Sequence, residues 1–219
     1  LMGAMVQPPN KHLVGIGWML VTGVCFVAVT ALVKYLGPTV PPAQAAFLRY
    51  LMGFVFLLPA WASLQAANLT VRQWRLFTLC GFFHAGGVML WFFSMPRIPI
   101  AEVTAMNYLS PIYVSIAAAL FLGGRLAFRR IMAIVIALVG ALVILRPGFR
   151  EVETGHLAML LAAVVFAGSY LLAKILSGEV NAAVVVAMLS IFTTIGLAPF
   201  VIMQWVQPSL TDIGVLFLV

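Results

Sequence analysis

A block of this chain recurs at an offset of 140 residues, without a gap, and the block is almost wholly apolar. Gly15, Met19, Leu20, Val24, Phe26, Leu32, Lys34 and Leu36 return as Gly155, Met159, Leu160, Val164, Phe166, Leu172, Lys174 and Leu176. The register then holds, with Val40 matching Val180, Ala43 matching Ala183, Leu57 matching Leu197 and Pro59 matching Pro199. Self-similarity at a fixed period means that one structural unit is built twice. Units made of hydrophobic helices mark carriers assembled from two structural repeats, with the solute site near the bilayer midplane between the copies.

Composition removes the soluble alternatives. Hydrophobic residues are 64% of the chain and charged residues 8%, against about 45–50% and roughly 25% in a soluble domain. A water-facing surface cannot be made from this inventory, so the chain is read as an all-α integral membrane protein whose partner is the lipid bilayer. The net charge of +7 then bears on loop placement and does not signify nucleic acid. Cys25 and Cys80 lie inside apolar runs, which favours packing over a disulfide framework. His12, His84 and His156 are scattered, without the spacing of a metal site or an acid–base cluster. No catalytic, cofactor-binding or metal-ligating residue is assigned, and enzymatic activity is not expected. No segment reads as the re-entrant filter of a channel.

A spanning helix needs about 20 mostly apolar residues. Seven segments qualify: 13–36, 43–64, 74–93, 100–122, 130–145, 157–176 and 182–206, with an eighth starting near Ile213. Gly37-Pro38, Pro41-Pro42, Pro96, Pro99, Gly123-Gly124 and Pro147-Gly148 punctuate the connections. With the N-terminus in the cytoplasm, seven Lys and Arg fall inside and five outside, and the densest cluster, Arg125, Arg129 and Arg130, lies inside. Most acids fall outside, so the positive-inside rule favours this orientation. Residues 1–12 form an N-terminal cytoplasmic segment, residues 13–148 a first repeat of five helices, and residues 155–219 an incomplete second repeat. Five is odd, so the second unit enters from the opposite face and the repeat is inverted. On this reading the chain is a fragment of a ten-helix bundle, and roughly three helices of the second unit lie beyond Val219.

The stretch Ile98 to Pro111 (IPIAEVTAMNYLSP), followed by Ala119 to Leu126 (ALFLGGRL) and Leu138 to Gly148 (LVGALVILRPG), resembles the EamA family of the drug/metabolite transporter superfamily. The resemblance covers nearly all of residues 13–219. It implies a ten-helix bacterial inner-membrane carrier for amino-acid-like, nucleotide-derived or vitamin-like solutes, or for amphipathic drugs. Gly124 stands where the family usually has Glu.

Polar groups at membrane depth are costly, so they mark function. His84 lies about 15 Å into the third span, close to the midplane. Trp91 falls two turns further on, on the same helical face with Gly87 between. An imidazole and an indole on one stripe would stack on and hydrogen-bond a planar or zwitterionic solute. Asn107 and Ser110 precede Pro111, which frees the carbonyl of Asn107, and both are assigned as lining. Tyr170 is a further lining candidate, with Ser169, Thr193 and Thr194 behind it. Arg49 lies about 9 Å inside the second span, near a helix N-terminus that disfavours a cation. Glu102 is the acid at comparable depth, and an Arg49–Glu102 pair is expected as a gate. The repeat mate of Arg49 is Leu189, so the scaffold itself does not require the charge. Lys34 and Lys174 are read as snorkelling anchors at opposite faces.

Residues 13–33 contain no acid, which argues against carboxylate-based proton exchange in the first span. A histidine at His84 leaves a proton route of another kind open. The expected activity is secondary transport of a small organic metabolite by alternating access, with a broad-specificity drug exporter as the alternative. Trp91, Phe92, Tyr108 and Tyr113 favour aromatic or amphipathic solutes.

Overall fold

The computed structural model describes residues 10–37, 39–107, 109–121, 128–145 and 153–219. Tyr108, Gly124, Arg125, Arg146, Arg150 and Glu151 lie outside the described residues, as do the side chains of Lys11, Arg129 and Arg130. Among the described residues every regular element is helical. In chain order these are α1 (Asn10–Leu36), α2 (Pro42–Gly53), a 3-10 segment (Phe54–Ala60), α3 (Trp61–Gln65), α4 (Val71–Ser94), α5 (Ile100–Asn107), α6 (Leu109–Phe121), α7 (Phe128–Leu145), α8 (Thr154–Ser177), α9 (Ala182–Met203) and α10 (Leu210–Leu218).

Six stretches are long and apolar enough to cross a bilayer: Leu13–Leu36, Pro42–Gln65, Val71–Ser94, Ile100–Leu120, Thr154–Ser177 and Ala182–Met203. The protein is a multi-pass membrane protein. The expected fifth span corresponds to α7, whose continuous apolar run, Ile131–Gly140, is shorter than the other six. The eighth helix begins earlier than the apolar pattern alone indicates. Ser209 caps α10 by accepting from the Asp212 N–H at 3.1 Å, and the Asp212 carboxylate returns to the Ser209 N–H at 2.9 Å. This capping box satisfies backbone donors that a helix start otherwise leaves open. Thr70 and Gln73 make the same box at α4.

Turn chemistry explains the tight return after α1. Gly37 adopts φ +68°, a left-handed conformation at the helix C-terminus that costs a glycine little. Its N–H reaches the carbonyls of Val33 and Lys34. Pro42 then opens α2 at a position where its missing donor is not needed. The second span is not uniformly α-helical. It tightens into a 3-10 segment around Pro59, whereas the matching Pro199 sits inside the continuous α9.

α4 is the centre of the assembly. It packs most extensively against α8 and α9 and also touches α2. Inside lipid there is no hydrophobic driving force between helices, so small residues that permit close approach do the work. A Cβ on Gly81 would lie 2.2 Å from the Cβ of Phe192 on α9, and one on Gly87 would lie 2.7 Å from the Phe166 ring on α8. Gly155, at the start of α8, packs as closely against Ile98.

Two buried clusters repeat each other in part. One holds Val33, Leu36, Val40, Ala45 and Leu48 with Leu216 of α10. The other holds Leu176, Val185 and Met188 with Phe77 of α4, and Ala173 and Val180 pack against it. Residues of the first and second spans thus recur one for one in the sixth and seventh. The α10 residues Val215, Leu216 and Val219 correspond to Leu76, Phe77 and Cys80, one residue short of the 140 offset. The connection between α9 and α10 absorbs that difference, so no helix is rotated by it.

Polar clips close the ends. The Gln44 amide donates to the Val206 carbonyl at 2.5 Å and accepts from the Val206 N–H at 2.9 Å. At the other end Glu179, between α8 and α9, accepts from Arg72 at 2.7 Å and from Gln73 at 3.1 Å. These bonds hold its carboxyl below the usual value, Arg72 contributing most. Lys34 donates to the Ile98 carbonyl at 2.8 Å, a fixed contact in place of the expected free anchor. Lys174 is exposed.

Two outcomes follow. Gly81→Ala forces α4 and α9 apart and should cost about 1–3 kcal/mol, the range for overpacking. Gly86→Ala, with its nearest contact at 3.6 Å, should be neutral or slightly stabilising. Thermal unfolding in detergent compares them. Stability from the Glu179 clip is present above the unfolded carboxyl value near 4.5 and is lost as pH falls through the lower folded value. Glu179→Gln should therefore lower the melting temperature at neutral pH. That gap should close on acidification below 4.5 and shrink in high salt.

Candidate solute-binding site

The buried face of α4 carries His84, Ala85, Gly87, Val88, Trp91 and Phe92. His84 stands about 15 Å from the Ser94 end of α4 at 1.5 Å per residue, near mid-span. Both ring nitrogens are engaged. Nε2 lies 2.8 Å from the Tyr50 hydroxyl on α2, and Nδ1 lies 3.3 Å from Ser169 Oγ on α8. Each hydroxyl can donate or accept, so a neutral imidazole is satisfied in either tautomer. Cys80, one turn earlier on α4, donates its thiol to the Ser169 carbonyl at 3.3 Å and lies 3.4 Å from Ser169 Oγ. A buried polar chain thus runs from Tyr50 through His84 and Ser169 to Cys80.

Aromatic rings flank this chain. Phe166 meets the imidazole edge-on at 5.2 Å and Tyr170 at 6.2 Å, while Phe166 and Tyr170 stack at 5.7 Å and 8°. Gly87 makes room for the Phe166 ring. The repeat mate of Phe166 is Phe26, which stacks on Trp91 at 5.1 Å and 15°. One phenylalanine from each copy thus meets α4, two turns apart along the same face.

Arg49 precedes Tyr50, with its guanidinium carbon 5.2 Å from the Tyr50 ring centre, and its Nε donates to the Val219 carbonyl at 3.2 Å. Arg49, Tyr50 and Ser190 line a cavity of about 300 Å³ whose other walls include Met52, Phe56, Leu57, Val186 and Phe217.

The expected Arg49–Glu102 pair is not formed. α2 packs against α4, α9 and α10, whereas α5 packs against α1, α7 and α8, so the two side chains face different neighbours. Glu102 is buried, and its Oε2 lies 2.7 Å from His156 Nε2. Nδ1 of His156 accepts the Glu153 N–H at 3.0 Å, so the proton sits on Nε2 and points at the carboxylate. One imidazole caps α8 and ties it to α5.

Of the other residues assigned from sequence, Tyr170 lies against His84. Trp91, Asn107 and Ser110 are not among the hydrogen-bond or ring partners of His84. Trp91 packs in the core beside Phe26, and its buried Nε1 lacks a hydrogen-bond partner. Ser110 is buried on α6, and its Oγ is likewise unpartnered. Asn107 is half-buried at the end of α5. Thr193 and Thr194 bond carbonyls of their own helix. Sequence reasoning missed Tyr50. The available signal was the same broken symmetry that marks Arg49, since the mate of Tyr50 is Ser190.

A profile described as the EamA-like transporter family matches residues 13–146. The chain is 32% identical to the riboflavin transporter of Rhizobium johnstonii over 80% of its own length and 59% of that protein. It is 24% identical to the S-adenosylmethionine uptake transporter of Rickettsia bellii over 95% of its own length and 72% of that protein. One solved crystal structure superposes with a TM-score of 0.66 at 20% identity, covering 90% of this chain and 71% of the other. The likeness extends to the fold.

The polar chain makes a coupled demand on stability. Tyr50→Phe leaves a buried imidazole nitrogen unpaired and should cost about 1–3 kcal/mol. In a His84→Phe background the same change should cost much less. A double-mutant cycle in detergent, read by thermal unfolding, measures the difference.

Proposed function

We propose that this chain, which belongs to the EamA-like transporter family, moves a small organic metabolite across the membrane by alternating access, with the His84 cluster as part of the solute site. The observation that carries the reading is the origin of the cluster. Tyr50 and His84 come from residues 13–148, and Phe166, Ser169 and Tyr170 come from residues 155–219. Two copies of a helical unit meet at a polar, aromatic-walled point near mid-span, where repeat-built carriers hold their solutes. Odd helix count makes the copies inverted, and the equivalence of the two buried clusters supports that symmetry. The N-terminus lies in the cytoplasm of a bacterial inner membrane, on the balance of Lys and Arg.

Riboflavin and S-adenosylmethionine, the solutes of the two similar carriers, each contain a planar heterocycle. Flat stacking on Phe166 and Tyr170 with hydrogen bonds to Tyr50, His84 or Ser169 suits that class. Trp91, Asn107 and Ser110 are assigned to the outer lining, where the unpartnered Trp91 Nε1–H donates to solute or water and Ser110 Oγ donates or accepts. Glu102 with His156 holds one end of the site. Transport, not catalysis, is the activity assigned.

The test is flux in proteoliposomes containing the intact protein, with riboflavin, S-adenosylmethionine and tryptophan as probes. At least one probe should move, and His84→Ala and Phe166→Ala should each reduce its flux about tenfold or more while the protein remains folded. Absence of flux for every probe, or flux indifferent to both variants, would overturn the assignment.

A further inference from the structure

Arg49 places a permanent cation inside the second span. Among the described residues no carboxylate lies within ion-pair distance of it. Holding a guanidinium among apolar side chains is costly unless an anion compensates it. The fold does not need the charge, because the matching position in the other copy is Leu189, which packs in an apolar cluster. Arg49 instead faces the cavity of about 300 Å³, where Tyr50 and Ser190 supply the other polar side chains and the rest are mainly apolar. Tyr50 also belongs to the His84 chain, through its hydroxyl 2.8 Å from Nε2. The cavity and the aromatic cluster therefore share a wall.

The geometry points to Arg49 as the oxyanion-binding residue of the solute site: the transported molecule carries a carboxylate or a phosphate that lies in this cavity against the guanidinium. A planar fork of N–H donors matches either group in a bidentate manner, which a lysine would not reproduce. The ring portion of the same molecule lies beyond Tyr50, toward His84, Phe166 and Tyr170. A volume of about 300 Å³ is at the small end for a whole ligand and suits an anionic group with a short linker. The inference rests on the transport reading above and adds the charge of the solute. It also gives the guanidinium, which otherwise meets the Val219 carbonyl and the Tyr50 ring, an anionic partner that the Glu102 pairing does not.

The experiment uses matched probes that differ in the anion alone. Tryptophan is set against tryptamine for a carboxylate, and flavin mononucleotide against riboflavin for a phosphate. Binding to the intact protein in neutral detergent is measured by thermal stabilisation. For at least one pair the acid should bind the parent protein more tightly than its partner. Arg49→Gln should raise the Kd of that acid about tenfold or more and leave the partner within about twofold. Arg49→Lys, retaining the charge without the fork, should fall between. If both members of each pair bind equally to the parent, or if Arg49→Gln weakens them equally, the oxyanion role is wrong while the transport reading stands. If no probe binds at all and none is transported, the transport reading fails and the inference with it. An Arg49 effect confined to added anionic lipid would also overturn the inference.

Discussion

The close approach of α4 to α8 and α9 governs the rest of the structure. Gly81 and Gly87 have no room for a methyl group, because Phe192 and Phe166 already fill that space. In a bilayer, helix association depends on such fit, since lipid tails compete equally for apolar side chains. Closing that distance brings His84 within hydrogen-bond reach of Ser169 and sets Phe166 against the imidazole. The glycine contacts and the polar cluster are thus one arrangement seen from two sides. Without the first, the second would be spread over more than bonding distance.

Duplication supplies the frame and departures from it supply the chemistry. The two buried clusters share a set of matching positions from the first two helices of each copy, and both third helices start with the same kind of capping box. Among the departures, three fall at the site: Arg49 with Leu189, Tyr50 with Ser190, and Thr30 with Tyr170. Each break adds a group that the scaffold does without in the other copy. Phe26 and Phe166 keep their identity yet meet different partners, Trp91 and His84. A symmetric frame around one central helix becomes an asymmetric site in this way.

Much of this was legible in the sequence, for physical reasons. Long apolar runs must be helices in lipid, and Gly and Pro punctuate them, so the spans emerged within a few residues. The mid-span depth of His84 followed from helical rise, whereas its contact with Tyr170 did not, because periodicity pairs His84 with Trp91 on its own helix and says nothing of the helix opposite. The Arg49–Glu102 pairing did not survive, because depth along a span says nothing about which neighbour a helix faces. Glu102 found His156, a residue that looked isolated because its partner lies on another helix. Tyr50 was hidden by the charge beside it. Lys34 also went to a backbone carbonyl, a partner that no side-chain pattern reveals.

The Gln44 clip has a consequence of that same kind. Its amide bonds both the N–H and the carbonyl of Val206, as a neighbouring strand would. The side chain of Val206 takes no part in these bonds. Selection at this joint therefore acts on the identity of one position and on the mere presence of a peptide group at the other. Position 206 is free to drift through the amino acids, proline excepted for want of a donor, while position 44 is held. Two residues joined by a pair of bonds need not co-vary, and a search for co-varying positions would pass over this contact.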